Sequence, residues 1–198
     1  MMETFLQIIM VAFIAICTEN IVFSRALGSS TMLIAAKNKN QFFSFGLSIT
    51  YMATASSAIG YFTDKLFLKS ESSYMYMPII YVVVVGLVYT ITLVLLWRFA
   101  KPLFVLTKKF IHISSFNCAV LGALFLNSQY GNSLLEYLGF GLGTGIGFML
   151  ATYLLSIVYD RLFSESIPES FRGIPLVLIY IGILSMAFYG LSGFRFGM

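Results

Sequence analysis

Four long stretches of the chain contain no Asp, Glu, Lys or Arg. They are residues 41–63, 74–97, 137–159 and 173–194. A helix needs about 20 mainly apolar residues to cross the hydrocarbon core of a bilayer, and each stretch is long enough. Two further apolar segments, residues 5–18 and 110–126, are shorter and run into polar residues. The pattern predicts an all-α polytopic membrane protein with six transmembrane helices in one membrane domain, residues 1–198.

The order of short and long segments repeats in the two halves of the chain. Each half opens with a short, interrupted segment and continues with two long, uninterrupted ones. Three spans per half mean that the second half enters the membrane from the opposite side. The halves, residues 1–100 and 101–198, are therefore predicted to be two inverted three-helix repeats, joined by a short basic loop at residues 98–109 with Pro102 at its turn. In such folds, interrupted segments at corresponding places point to a site near the bilayer midplane.

Polar side chains interrupt the first and fourth predicted spans. Glu19 and Asn20 interrupt the first, and Asn117 with Cys118 interrupts the fourth. Polar groups at this depth are costly, so they mark ion pathways or sites enclosed by protein. Glu19, Asn20 and Asn117 are candidates for an ion path or polar centre. Glu19 is either an ion or proton site or a structural hydrogen-bonding group, and Arg25 is a possible partner for it.

Composition and charge support a membrane location. The chain is 59% hydrophobic and 10% charged, with a mean hydropathy of +0.91, whereas soluble domains carry roughly a quarter charged residues. The net charge of +4 does not indicate nucleic acid, because the basic residues concentrate on one side of the predicted spans. That side carries Lys37, Lys39, Arg98, Lys101, Lys108, Lys109, Arg161 and Arg172, and the other carries Lys65, Lys69 and Arg195. The positive-inside rule then places the N- and C-termini outside the cytoplasm.

Residues 139–147 carry a glycine at every second position. A nucleotide-binding loop is disfavoured, because no strand precedes the run and no lysine or acidic partner follows it. Glycines four residues apart are typical of close helix–helix contact in lipid. We therefore predict that this run is a packing surface.

Three other side chains carry weaker signals. Cys17 and Cys118 both lie in apolar segments, which argues against a disulfide framework. His112 is the only histidine; a hydrogen-bonded group near the membrane surface is favoured over a proton shuttle or metal ligand. No base accompanies the Ser, Thr and Tyr residues in a hydrolytic arrangement, so no nucleophile triad is expected.

Several motifs, in order along nearly the whole chain, resemble one family of membrane subunits. They are EN at 19–20, RALG at 25–28, NCAVLG at 117–122, the glycine-rich residues 139–151, DRL at 160–162, IPESFRG at 167–173 and GILSMAFYGLSG at 182–193. The chain resembles the six-span subunits of the Rnf and Nqr ion-translocating electron-transfer complexes, specifically those named RnfA and NqrE.

The resemblance implies a function as well as a fold. It implies a bacterial or archaeal plasma membrane protein that pairs with a homologous six-span subunit of opposite topology. Each member of such a pair gives two cysteines to a shared 2Fe–2S cluster, which carries electrons while Na⁺ or H⁺ crosses the membrane. Thiolates suit iron, and such a protein is not catalytic alone. The implied partners are the homologous subunit, the rest of the complex and membrane lipid.

This chain departs from the family pattern at three positions. Cys118 matches the second-half cluster ligand, but Ser30 stands where the first-half cysteine is expected, and a hydroxyl is a much poorer iron ligand than a thiolate. Leu93 replaces an acidic residue, and His112 replaces a proline. The leading interpretation is a redox-driven ion-pump subunit with Cys118 as a cluster ligand. The alternative is a cluster-free paralogue that acts as a transporter or structural partner on the same scaffold.

Overall fold

The chain is helical throughout the elements that the structure describes. The computed structural model describes residues 2–37, 41–67, 73–131, 133–165 and 167–192. In these ranges the helices are α1 Met2–Ile16, α2 Ile21–Arg25, α3 Ser29–Lys37, α4 Phe42–Phe67, α5 Ser73–Phe99, α6 Lys101–Ser115, α7 Cys118–Tyr130, α8 Leu134–Leu162 and α9 Ile174–Ser192. The predicted all-α polytopic fold is confirmed. Lys39, Lys69 and Arg195, which entered the sidedness prediction, lie outside the described residues.

Three described helices are long and apolar enough to cross a bilayer, namely α4, α5 and α8. A fourth crossing is obtained if α6 and α7 are counted as one broken span, bent by 56°. Helix α1 has 15 residues, so it is about 22 Å long and shorter than the ~30 Å hydrocarbon core. The six-span count and the inverted repeats stay predictions.

Both predicted interruptions are helix breaks. The first break, residues 17–20, separates α1 from α2, and the second break, residues 116–117, separates α6 from α7. Asn20 caps α2 and Asn117 caps α7 through their side-chain oxygens. Asparagine is among the best helix N-caps because its side chain satisfies amides that have no partner inside the helix. A polar residue therefore ends one helix and starts the next at each break.

The predicted short basic loop at residues 98–109 is wrong. Helix α5 continues to Phe99, and α6 begins at Lys101 after a single non-helical residue, Ala100. Pro102 lies in the first turn of α6, where the missing amide of proline costs no helical hydrogen bond. The proline thus starts a helix here instead of marking a loop.

Helix α8 is the centre of the domain and packs on α1, α2, α3, α4, α7 and α9. The glycine run predicted to be a packing surface lies in α8 and supplies two stripes. A Cβ atom built on Gly139 or Gly143 would lie 3.0 or 2.5 Å from the carbonyl oxygens of Ile8 or Ala12 in α1. The prediction of close helix–helix contact is confirmed.

The second stripe consists of Gly141 and Gly145, which face α4. A Cβ atom on Gly141 would lie 2.9 Å from the Cα atom of Thr54, and one on Gly145 would meet Thr50. Alternate glycines thus bring α8 against two helices at backbone distance. This packing holds α1, and the break that follows it, against the middle of the domain.

Candidate functional site

Asn20 ties the first break to the centre of the domain. Its side chain is fully buried, and its Oδ1 accepts hydrogen bonds from the amides of Val22 and Phe23 at 3.1 and 3.4 Å. Its Nδ2 donates to the carbonyl oxygens of Ile16, at 2.8 Å, and Gly147, at 3.1 Å. The side chain connects the end of α1, the start of α2 and the middle of α8.

Asn117 plays the corresponding part at the second break. Its Oδ1 accepts from the amide of Ala119 at 3.0 Å, and the residue is 3% exposed. Its Nδ2 is buried and makes no hydrogen bond to any described group. Buried donors are nearly always paired in proteins, so this amide has hydrogen-bonding capacity left for a group outside the isolated chain.

The two breaks meet in space. A Cβ atom built on Gly28, just before α3, would lie 2.9 Å from Cβ of Ala119 and 3.0 Å from Oδ1 of Asn117. One on Gly122 would contact Ile21 and Leu27. Gly28 has a φ of +80°, a conformation that glycine adopts without steric cost. The starts of α3 and α7 therefore lie side by side.

Ser30 and Cys118 lie at these adjacent helix starts. Ser30 is in the first turn of α3, and Cys118 is the first residue of α7. Both residues are exposed on the isolated chain. A helix start carries unpaired amides and a partial positive charge, which favours a thiolate or another anionic group. The two positions that the family pattern singles out thus share one open surface with suitable electrostatics.

The remaining predicted polar group, Glu19, lies at the rim of the first break. Its carboxylate is 3.5 Å from the guanidinium of Arg25, and the side chains are 22% and 50% exposed respectively. The pairing suggested by the sequence is confirmed. The assignment of Glu19 to an ion path stays a prediction.

Cys17 and His112 differ in their surroundings. Cys17 and Cys118 are both free thiols, and Cys17 is partly buried. His112 is exposed and its Nδ1 is 2.9 Å from the hydroxyl of Tyr89. This agrees with the hydrogen-bonded group that the sequence favoured for His112.

A buried acid was missed by sequence reasoning. Asp64 is 4% exposed, and its carboxylate oxygens accept hydrogen bonds from Tyr81 at 2.8 Å and Tyr137 at 2.6 Å. Asp64 falls one residue beyond the charge-free stretch 41–63, where the hydropathy pattern ends the span. Helix α4 in fact runs on to Phe67, and the side chain points inward. The alternation of tyrosines with apolar residues was the signal that was not used.

The family assignment rests on the whole chain. Residues 8–195 match the family described as "Rnf-Nqr subunit, membrane protein". The chain belongs to the Rnf-Nqr subunit family. With its apolar helices, it is a multi-pass membrane protein. The resemblance seen in the motifs is thereby confirmed.

Individual relatives are similar over nearly their full length. The A subunit of the Na(+)-translocating ferredoxin:NAD(+) oxidoreductase complex of Acetobacterium woodii is 26% identical over 192 residues, which are 97% of this chain and 100% of the relative. The A subunit of the ion-translocating oxidoreductase complex of Glaesserella parasuis is 27% identical over 193 residues, 98% of each chain. The corresponding Histophilus somni protein is 28% identical over 175 residues, 88% of this chain and 91% of the relative. Members of the family therefore work beside other subunits of a complex.

The donor atoms of this chain fit at most half of an iron–sulfur site. Among the described residues, no three His, Cys, Asp or Glu side chains converge on a possible metal position. Cys118 offers a thiolate and Ser30 a hydroxyl, both at the surface, whereas a 2Fe–2S cluster takes four ligands, usually cysteine thiolates. The surface position fits a cluster held between two subunits. The serine does not fit a cluster with four thiolates.

Proposed function

We propose that the chain is the membrane subunit of an Rnf/Nqr-type complex in a prokaryotic plasma membrane. There it helps carry electrons across the membrane while Na⁺ or H⁺ is translocated. The observation that supports this most directly is the contact between the two breaks, which puts Ser30 and Cys118 at adjacent, exposed helix starts. Oxidoreductase chemistry belongs to the whole complex, because this chain shows no catalytic constellation of its own among its described residues.

Cys118 is the ligand that this chain supplies to a cluster shared with a homologous subunit of opposite topology. The cluster would take up and release single electrons. Amides at the start of α7 favour the thiolate form of Cys118, while the Asn117 side chain fixes the helix start. The unpaired Nδ2 of Asn117 can donate to an acceptor next to the thiolate. Ser30 completes the ligand set with a hard oxygen or leaves that position to another group.

One observation favours a second candidate function. Ser30 occupies the position of an expected cysteine, and hydroxyl groups bind iron much more weakly than thiolates. A cluster-free paralogue would keep the scaffold and act as a transporter or structural partner. Metal analysis separates the two candidates.

Iron and acid-labile sulfide should be measured on the complex purified with its partner subunits, together with the electron paramagnetic resonance spectrum after reduction. For the intact complex we expect a cluster signal that Cys118→Ser removes, because the substitution eliminates the only thiolate at the surface site. Cys17→Ser is the matched control and should leave the signal unchanged.

Two outcomes contradict parts of this proposal. A wild-type complex without the iron and sulfide of this cluster would establish the cluster-free alternative. A signal that survives Cys118→Ser would remove Cys118 from its role. Ser30→Cys adds a direct measure of the serine position: if Ser30 faces the cluster, the spectrum and reduction potential change, because a thiolate replaces an oxygen ligand.

A further inference from the structure

Asp64 is held between three helices at one end of the domain. It lies near the end of α4, and the tyrosine hydroxyls that donate to its two oxygens come from α5 and α8. Tyr81 and Tyr137 are 1% and 3% exposed. Short O–H···O contacts of 2.6 to 2.8 Å to both oxygens are characteristic of an ionised carboxylate. The carboxylate is thus enclosed while it keeps its charge.

A second buried oxygen belongs to the same cluster. Asn127 is fully buried, and its Nδ2 donates to the backbone carbonyl of Tyr137 at 3.0 Å. Its Oδ1 is buried and has no hydrogen-bond partner among the described residues. Leu124, one turn earlier in α7, contacts Gly60, one turn before Asp64 in α4. An unpaired carbonyl oxygen is therefore held beside the Tyr137 segment that clasps the acid.

No cationic side chain of the described residues forms an ion pair with Asp64. Lys65 is the neighbour in sequence, but it is exposed, and its Nζ lies 5.9 Å from the ring centroid of Tyr61. The other ionisable groups near the cluster are Tyr61 itself, whose ring packs on Tyr137 at 5.4 Å, and Glu136, which precedes Tyr137. An ionised carboxylate removed from water requires a compensating positive charge.

We propose that Asp64, Tyr81, Tyr137 and Asn127 form a binding site for one dehydrated Na⁺ ion. The ligands are the carboxylate, the lone pairs of the two hydroxyl oxygens and the amide oxygen of Asn127. Oxygen donors of this kind suit hard cations. One carboxylate charge is balanced by a single positive charge, which selects a monovalent ion. The site lies away from the Ser30–Cys118 surface and does not require a cluster there.

The test is equilibrium binding of ²²Na⁺ to the purified complex in a choline chloride background. We expect Asp64→Asn to remove one saturable equivalent of Na⁺, and Asp160→Asn, an exposed acid of α8, to remove none. Tyr81→Phe should weaken binding at this site at least tenfold. Its matched control is Tyr51→Phe, whose hydroxyl joins the same two helices through Thr92 at 3.1 Å.

A second measurement keeps the proposal testable if a variant is poorly folded. Saturating Na⁺ should raise the thermal unfolding midpoint of the wild-type complex above that in choline, because a ligand that binds only the folded state stabilises it. The increase should shrink in Tyr81→Phe and persist in Tyr51→Phe.

Three results would overturn the proposal. They are unchanged Na⁺ stoichiometry in a folded Asp64→Asn complex, equal Na⁺ responses of the two tyrosine variants, and an infrared carbonyl band of protonated Asp64 that persists in saturating Na⁺. The last would assign the compensating charge to a proton. Iron and sulfide contents measured on the same preparations report separately on the Cys118 proposal, so either can fail without the other.

Discussion

Gly143→Ala is expected to destabilise the domain by about 1–3 kcal/mol, the usual range for an overpacked interior. The new Cβ atom would lie 2.5 Å from the carbonyl oxygen of Ala12 and 2.8 Å from Cβ of Ala15. A backbone carbonyl cannot rotate away as a flexible side chain can, so α1 must shift from α8. The free energy of unfolding in mixed micelles, from reversible denaturant titration, measures the effect.

Gly86→Ala in α5 is the matched control. A Cβ atom there meets no described atom within 4 Å. In a helix interior, alanine is favoured over glycine by up to about 1 kcal/mol, so this variant should be as stable as the wild type or more stable. If the two variants lost equal stability, the close approach of α1 and α8 at Gly143 would be refuted.

Asn20→Ala is expected to cost about 2–4 kcal/mol, because it removes a helix cap and also leaves buried backbone groups without partners. The amides of Val22 and Phe23 lose their acceptor, and the carbonyl oxygens of Ile16 and Gly147 lose a donor. Hydrogen exchange at Val22 and Phe23 should accelerate together with the loss of stability.

Two further variants separate the parts of this effect. Asn20→Asp retains the acceptor but not the donor, so the cap survives while the link to α8 is lost and a buried charge is added. Thr18→Ala removes one local bond, from Thr18 Oγ1 to the carbonyl oxygen of Ile14 at 3.0 Å, and should cost less than about 1 kcal/mol. A Thr18→Ala variant as unstable as Asn20→Ala would show that Asn20 has no special role.

The sequence predicted the features that depend on local physics. Polar residues inside apolar stretches located both helix breaks, because lipid leaves few other uses for Asn20 and Asn117. The four-residue glycine spacing predicted close packing of α8, although not that its two stripes face different helices. The choice of α1 and α4 as partners depends on the three-dimensional arrangement, which spacing alone does not encode.

The missed features depend on distant contacts. Asp64 looked like a loop residue because hydropathy stops at a charge, whereas two tyrosine hydroxyls from other helices allow α4 to continue past it. Pro102 looked like a turn, since proline interrupts helix interiors and also begins helices. The contact of Gly28 with Ala119 joins residues far apart in the chain, and only the similarity to a known family hinted at it.

The dependence of the early helices on α8 has a consequence for biosynthesis. Backbone contacts of α1 and the donor bond of Asn20 both require residues 139–147, so the amino-terminal part of the chain lacks its main partner until these residues leave the ribosome. A nascent chain halted near residue 100 should therefore be inserted but remain vulnerable to membrane proteases. Supplying residues 101–198 as a separate polypeptide in the same cell should protect it.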